Sequence, residues 1–315
     1  MKYNFLPLLL ISMVAVHSIS ISKDKLQYWS YNNLSTIIER INNIVLPDTN
    51  KPSETSVSQI ATEVTVQIWS DDQFIGSGTI ISKNDHRYEI ITNSHVLRSG
   101  TNDSYVIQTH DDTFYDAQVI AYNSQKNFCW DLAVLSFQSP QKNYKTTTVA
   151  PVNSYGMGDS VFVAGFVIDN DQQELETNKK SNHAKSNKFL FTTGKVYSIL
   201  DQSLMSGYQI GFTNMLKKGM SGGPLLNQSG ELIGINGRHA YPLWESADFY
   251  KDGTQASEEV QQVIDSHSWA ISIETVLQFY QEIQNSSINT SKEIESSTSA
   301  IQKSTTPEDQ LDLCR

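Results

Sequence analysis

The chain is poor in cysteine and in positive charge. Its 315 residues include only Cys129 and Cys314, so no disulfide framework can replace a hydrophobic core, and the chain is long enough to build one. Two readings of the cysteines stay open: a disulfide, or a free buried thiol at Cys129 with Cys314 in a polar tail. The 23 Lys and Arg against 34 Asp and Glu leave a net charge of −11. With no basic cluster interleaved with aromatics, this excludes nucleic acid as the expected partner. The 7 histidines are scattered rather than set at metal-ligand spacing, and there is no phosphate-cradling glycine loop, so no metal or other cofactor is expected.

Long apolar runs are also missing. The stretch Phe5 to Val16 follows Met1-Lys2-Tyr3-Asn4, is interrupted by Pro7 and Ser12, and ends at His17 before the small residues Ser18 and Ser20. It is too short for an ordinary membrane span and predicts a signal peptide over 1–20, hence a secreted or periplasmic protein with no stable span after signal removal. An uncleaved anchor is the alternative.

Periodicity divides the rest. Leu26, Tyr28, Trp29, Leu34, Ile37, Ile38, Ile41 and Ile44 recur at helical spacing, which predicts an amphipathic N-terminal helix followed by a linker, together 21–56. The helix either packs on the body of the protein or belongs to a removable propeptide. Short β-prone runs then alternate with turns: Glu63–Trp69, Gly78–Ser82, Tyr88–Thr92, Tyr105–Thr109, Ala117–Tyr122 and Leu132–Phe137. They predict a first barrel over 57–140. Residues 141–284 hold a polar connection, the further runs Ser160–Val167, Phe189–Ile199, Tyr208–Phe212 and Glu231–Asn236, and a closing strand and C-terminal helix within 255–284. The polar segment Asn170–Lys188 predicts a long exposed loop, which either borders a cleft or is tolerated in solvent. The Asn, Ser, Thr, Lys and Glu of 285–315 predict a disordered tail.

Chemistry concentrates at three points. In Gly219-Met220-Ser221-Gly222-Gly223-Pro224-Leu225 the glycines allow a sharp loop that can expose one hydroxyl and two backbone donors, while Pro224 fixes the exit. Serine needs a base, and His95 in Thr92-Asn93-Ser94-His95-Val96 stands where a strand would deliver it to a rim. Asp131, opening Asp131-Leu132-Ala133-Val134-Leu135 behind the water-excluding Trp130, is placed to orient an imidazole and stabilise its charged form. Singly, each has a plain structural alternative as a rim histidine, a strand-start aspartate or a glycine turn.

Taken in order, these three segments resemble the signature segments of trypsin-like serine peptidases with the chymotrypsin fold, nearest to a bacterial, cyanobacterial-type branch. In that branch Gly-Met-Ser-Gly-Gly-Pro is followed by a strand like Gly230–Arg238, and the likeness runs from about 57 to 280. The resemblance implies an all-β fold of two six-stranded antiparallel β-barrels, here with an N-terminal and a C-terminal helix, and a site in the cleft between barrels. It implies His95 as general base and acid, Asp131 as orienting carboxylate, Ser221 as nucleophile, and the N–H groups of Gly219 and Ser221 as the oxyanion hole. Met215, Asn236, Gly237 and Arg238 fall at its substrate-binding positions.

Two departures matter. Met220 stands where digestive trypsins carry an acid that pairs with a new amino terminus, so that activation is not expected. Met215 stands where an acid would select Lys or Arg, which leaves an apolar or mixed preference, or an acidic one if Arg238 and His239 face the substrate rather than solvent. The expectation is a serine endopeptidase acting on protein or peptide through an acyl-enzyme. The alternatives are a non-catalytic protein-binding module on the same scaffold and an esterase, the latter disfavoured because α/β-hydrolases place His last in chain order. The polar tail is too short for the peptide-binding domain that follows the protease in high-temperature-requirement proteins.

Overall fold

The β-prone runs pair into two sheets that each close on themselves. The computed structural model describes residues 53–100, 104–122, 130–168, 187–240 and 248–283, all within the compact unit Lys51–Arg315. The first barrel holds β1 (Thr65–Ser70), β2 (Gln73–Asn84), β3 (Arg87–Thr92), β4 (Tyr105–Gln108), β5 (Phe114–Tyr122) and β6 (Ala133–Gln138). Its order is β1-β2-β3-β6-β5-β4, with β4 returning to β1. The second holds β7 (Ser160–Ile168), β8 (Asn187–Ile199), β9 (Tyr208–Phe212), β10 (Pro224–Leu226), β11 (Leu232–Arg238) and β12 (Ser268–Ser272). It runs β7-β8-β9-β12-β11-β10 and closes where Leu225 faces Val163, so it repeats the first barrel strand for strand. All the strand pairs are antiparallel, as the all-β expectation required, and closure removes free edges.

Burial explains where the sequence alternates and where it does not. Tyr88 and Ile90 of β3 point into the first barrel with Ile68, Ile80, Leu135 and Phe137. Neighbouring Ile91 turns outward to Leu132, Val134, Phe162, Tyr208 and Ile235, a layer contributed by both barrels. Strands buried on both faces lose the polar alternation, which is why 132–135 reads as one apolar run. Val161, Val163, Ile210, Phe212, Leu225 and Ile233 fill the second barrel. Each fully buried Leu or Ile stabilises the fold by about 1.5–3 kcal/mol, so the shared layer also sets how the barrels meet.

The start of the described chain departs from the linker expectation. Residues 54–64 form a helix, α1 (Glu54–Val64), and the first strand begins at Thr65 rather than Glu63. Ser and Thr serve caps as well as linkers: the Ser53 hydroxyl accepts from Ser56 N at 3.3 Å, and Val57, Ala61 and Val64 then fall on one buried face. Although α1 leads into the first barrel, Val57 and Ala61 join the layer shared by the barrels, and Thr193 Oγ1 of β8 donates to Glu54 Oε1 at 2.7 Å. Two smaller differences concern β8, which begins at Asn187 inside the expected loop, and β10, whose three residues are too few to read as a run. A short helix α2 (Ser94–Arg98) follows β3, and α3 (Glu258–Ser266), β12 and a helix α4 over 273–283 complete the second barrel. The segments 1–20 and 23–46, most of Asn170–Lys188, Cys129, Cys314 and the tail beyond 285 lie outside the described residues.

Candidate active site

His95 reaches the rim on α2, directly after β3, rather than on the strand itself. Asn93 is extended (φ −86°, ψ 146°), and its side-chain amide donates to the Asp131 carbonyl at 2.9 Å instead of capping α2. Asp131 N donates to Ser206 O at 2.8 Å, which ties the start of β6 to the second barrel. Beside it, Trp130 is buried edge-on against Phe279.

The Asp131 carboxylate has a full set of donors. Oδ1 accepts from Ser94 Oγ at 2.7 Å and from His95 N at 2.8 Å. Oδ2 lies 2.5 Å from His95 Nδ1 and accepts from the Tyr208 hydroxyl at 2.7 Å. Burial alone would push this acid up, but the His95 imidazole beside it, with the Tyr208 and Ser94 hydroxyls, holds it well below the usual carboxylate range. The same burial and the same carboxylate push the Tyr208 hydroxyl well above its ordinary value, so it stays a donor. An ionised carboxylate only accepts, so the proton of the neutral imidazole belongs on His95 Nδ1, the tautomer whose Nε2 has the lone pair.

Ser221 sits on the loop between β9 and β10. Gly219 and Gly222 take φ of +100° and +87°, the left-handed region that glycine enters without strain. A Cβ on Gly219 would lie 2.7 Å from Phe166 O, and one on Gly222 would strike Ser77 O and the Thr92 hydroxyl. The loop is thus pressed against the end of β3, three residues from His95. Ser221 Oγ rests on the Gly237 carbonyl at 3.3 Å rather than on the imidazole. Met220 N and Gly222 N are taken by Lys217 O and Asn236 O, whereas the N–H groups of Gly219 and Ser221 meet no acceptor among the described residues.

The four residues expected to bind substrate are placed differently from one another. Met215 is 69% exposed. Asn236 is fully buried, and its amide donates to Ala164 O at 3.3 Å and Met220 O at 3.4 Å, so it holds the serine loop instead of lining a cleft. Gly237 meets Ser221 through its carbonyl. Arg238 is bracketed by Asp248 at 2.5 Å and Asp265 at 3.3 Å, leaving its charge neutralised and only His239 exposed. Among the described residues no group of three or more His, Cys, Asp or Glu side chains gathers as a metal site.

Residues 76–235, half of the chain, match the model of the trypsin-like peptidase domain. The chain belongs to the trypsin-like peptidase family. The matched span takes in His95, Asp131 and Ser221 and ends just before Asn236. The chain is similar to Protease Do-like 1, chloroplastic, of Arabidopsis thaliana, with 29% identity over 190 residues, 59% of this chain and 39% of that protein. It is also similar to the periplasmic pH-dependent serine endoprotease DegQ of Escherichia coli, with 31% identity over 169 residues, 51% of this chain and 30% of that one. It therefore spans well under half the length of these relatives. A solved serine endoprotease from Yersinia pestis covers 74% of this chain and 66% of its own at 19% identity, with a TM-score of 0.49.

Within this trypsin-like peptidase, the sequence reading missed the residues that support the site. Ser94 stands next to His95 in the histidine segment, so adjacency marks it. Tyr208 opens a strand as many tyrosines do, and Ser77 is one serine of a β-run. Nothing local marks either one.

Proposed function

We propose that this trypsin-like peptidase is a serine endopeptidase that cleaves protein or peptide substrates through an acyl-enzyme. The observation that carries the reading is the 2.5 Å contact of His95 Nδ1 with a buried, four-donor Asp131, together with a serine loop that leaves two N–H groups uncommitted. A rotation of the Ser221 side chain away from Gly237 O presents its hydroxyl to the imidazole. His95 Nε2 then takes the proton as Ser221 Oγ attacks the scissile carbonyl, and Asp131 stabilises the imidazolium. The N–H groups of Gly219 and Ser221 receive the oxyanion, His95 protonates the leaving amine, and water releases the acyl group by the same steps.

The exposed Met215 and the neutralised Arg238 support a preference for apolar or mixed side chains before the cut bond, not for Lys, Arg or acids. Met220, fully buried in the second barrel with its sulfur accepting from Lys217 N at 3.4 Å, supports a site that forms without an amine-triggered ion pair. The leader-like amino terminus and the periplasmic relative support an extracytoplasmic location.

One observation favours the alternative of a non-catalytic binder: the Ser221 hydroxyl rests on Gly237 O. Labelling with a fluorophosphonate decides between them. The wild type should label at Ser221 and cleave casein, with Ser221→Ala and His95→Ala inert to both. A folded wild type that does not label is the binder. A wild type that labels and hydrolyses esters but leaves peptides intact is an esterase.

A further inference from the structure

We propose that Ser77, on β2 of the first barrel, is a positioning residue that holds the serine loop of the second barrel in its donor-presenting conformation. This rests on the peptidase reading of the same site. Ser77 is fully buried, and its hydroxyl is used twice: it donates to Gly219 O at 2.7 Å and accepts from Phe166 N of β7 at 2.8 Å. Its own N–H donates to Ser221 O at 2.9 Å, and its carbonyl accepts from the Thr92 hydroxyl at 2.7 Å, three residues before His95. Thr79, two residues along the same strand, donates to Gly222 O at 3.1 Å.

The orientation of the peptide units gives these bonds a consequence. In a trans peptide the C=O and N–H point in opposite directions. Ser77 draws the carbonyls of Gly219 and Ser221 toward the first barrel, so the N–H groups of Met220 and Gly222 turn to Lys217 O and Asn236 O in the second. The peptide unit between them, which carries the Ser221 N–H, is reversed: its carbonyl, Met220 O, is held by Gly223 N at 3.0 Å and by the Asn236 amide at 3.4 Å. The Ser221 N–H is therefore turned away from the protein's own acceptors by bonds on the units either side of it. Oxyanion stabilisation depends on donors fixed before charge develops, and a donor that must reorganise loses much of its effect. Ser77 supplies that fixing from the opposite barrel, so closure of the barrels on one another and assembly of the donor pair are one event.

Substitution separates this role from plain packing. In Ser77→Ala both side-chain bonds are lost while the backbone bond to Ser221 O can remain. We expect kcat on a peptide substrate and the rate of fluorophosphonate labelling to fall about 10- to 100-fold, with KM within about twofold. Affinity for a peptide aldehyde, whose adduct carries the oxyanion, should fall in parallel with kcat. The acidic limb of the pH profile should not move, because the His95–Asp131 pair is untouched. Circular dichroism and a melting curve establish that the variant is folded. If it is not, Ser77→Cys, which keeps a weaker donor in nearly the same volume, carries the test with an expected loss of about 3- to 30-fold in kcat. Unchanged kcat, or a rise in KM alone, in the folded variant overturns the proposal while leaving the peptidase reading intact. A folded wild type that neither labels nor cleaves overturns both.

Discussion

Tyr208 of the second barrel donates to the same oxygen of Asp131 that faces His95 Nδ1, at 2.7 Å against 2.5 Å. The two barrels therefore share one carboxylate. Gly237 makes the approach possible, since a Cβ there would strike the Tyr208 hydroxyl and come within 2.6 Å of the Asn93 amide. Tyr208→Phe keeps the ring and its packing and removes only the donor. The bond fixes the Asp131 carboxylate, and through it the His95 ring, in the orientation that proton transfer needs, so its loss should lower kcat/KM about 3- to 30-fold with KM little changed. With one donor fewer, Asp131 holds the imidazolium more strongly, and the acidic limb of the kcat/KM profile should move to higher pH. Profiles from pH 4 to 9 check this. A lower rate with an unmoved limb would make Tyr208 a packing residue only.

The same carboxylate ties folding to pH. Its folded value is depressed below the unfolded one, so its contribution is fully present above the usual carboxylate range and is lost as pH falls through that range toward the folded value. Urea denaturation should show stability falling steeply between about pH 4 and pH 2 in the wild type. Asp131→Asn, which titrates nothing there, should be less stable at pH 6 and show a shallower slope. Parallel slopes for the two proteins would assign acid unfolding to other groups.

Much of this was legible in the chain itself, for reasons that differ from place to place. β3 and β6 could be read because buried strands demand dense Ile, Val and Leu, and the serine loop because only glycine accepts φ of +100° and +87° at its bends. Helix α1 was hidden because Ser53, Glu54 and Thr55 suit a linker as well as a capped first turn, and β10 because three residues carry no period. Within the site, His95, Asp131 and Ser221 announce themselves through local context, whereas Tyr208, Ser77 and Asn236 act on residues remote in the chain, the Ser77 hydroxyl reaching Gly219 142 residues away. Their roles come from barrel closure. Asn236 and Arg238 show the converse, since a strand register can suggest contact with substrate while burial and ion pairing commit the side chains elsewhere.

Met220 predicts how the proposed peptidase becomes active. Its side chain is fully buried among Val161, Val163, Leu216 and Leu225, with no carboxylate to receive a new amino terminus. Protein carrying residues upstream of Val64 should be active as it stands, shown by amino-terminal sequencing of labelled enzyme. Met220→Asp should not create a switch. It places an unpaired charge in an apolar core and should cost about 3 kcal/mol or more in stability, read as a lowered urea midpoint. Labelling that arises only after a cut near Val64 would contradict the prediction.

Arg238 separates charge that recognises substrate from charge that holds the fold. Its guanidinium lies between Asp248 and Asp265, and the Gln261 amide bonds both carboxylates, at 2.9 Å and 3.1 Å. These contacts join the end of β11 to Asp248 and to α3. A guanidinium satisfied on both sides has little left to draw an acidic substrate residue, so Arg238→Ala should leave the side-chain preference before the cut bond unchanged in a peptide library. It should instead destabilise the protein by about 1–3 kcal/mol, because two partly buried carboxylates lose their cation, and the loss should shrink in high salt. If the wild type cleaves mainly after Glu or Asp and Arg238→Ala abolishes that preference at unchanged stability, the ion pairs open in the complex and Arg238 reads the substrate after all.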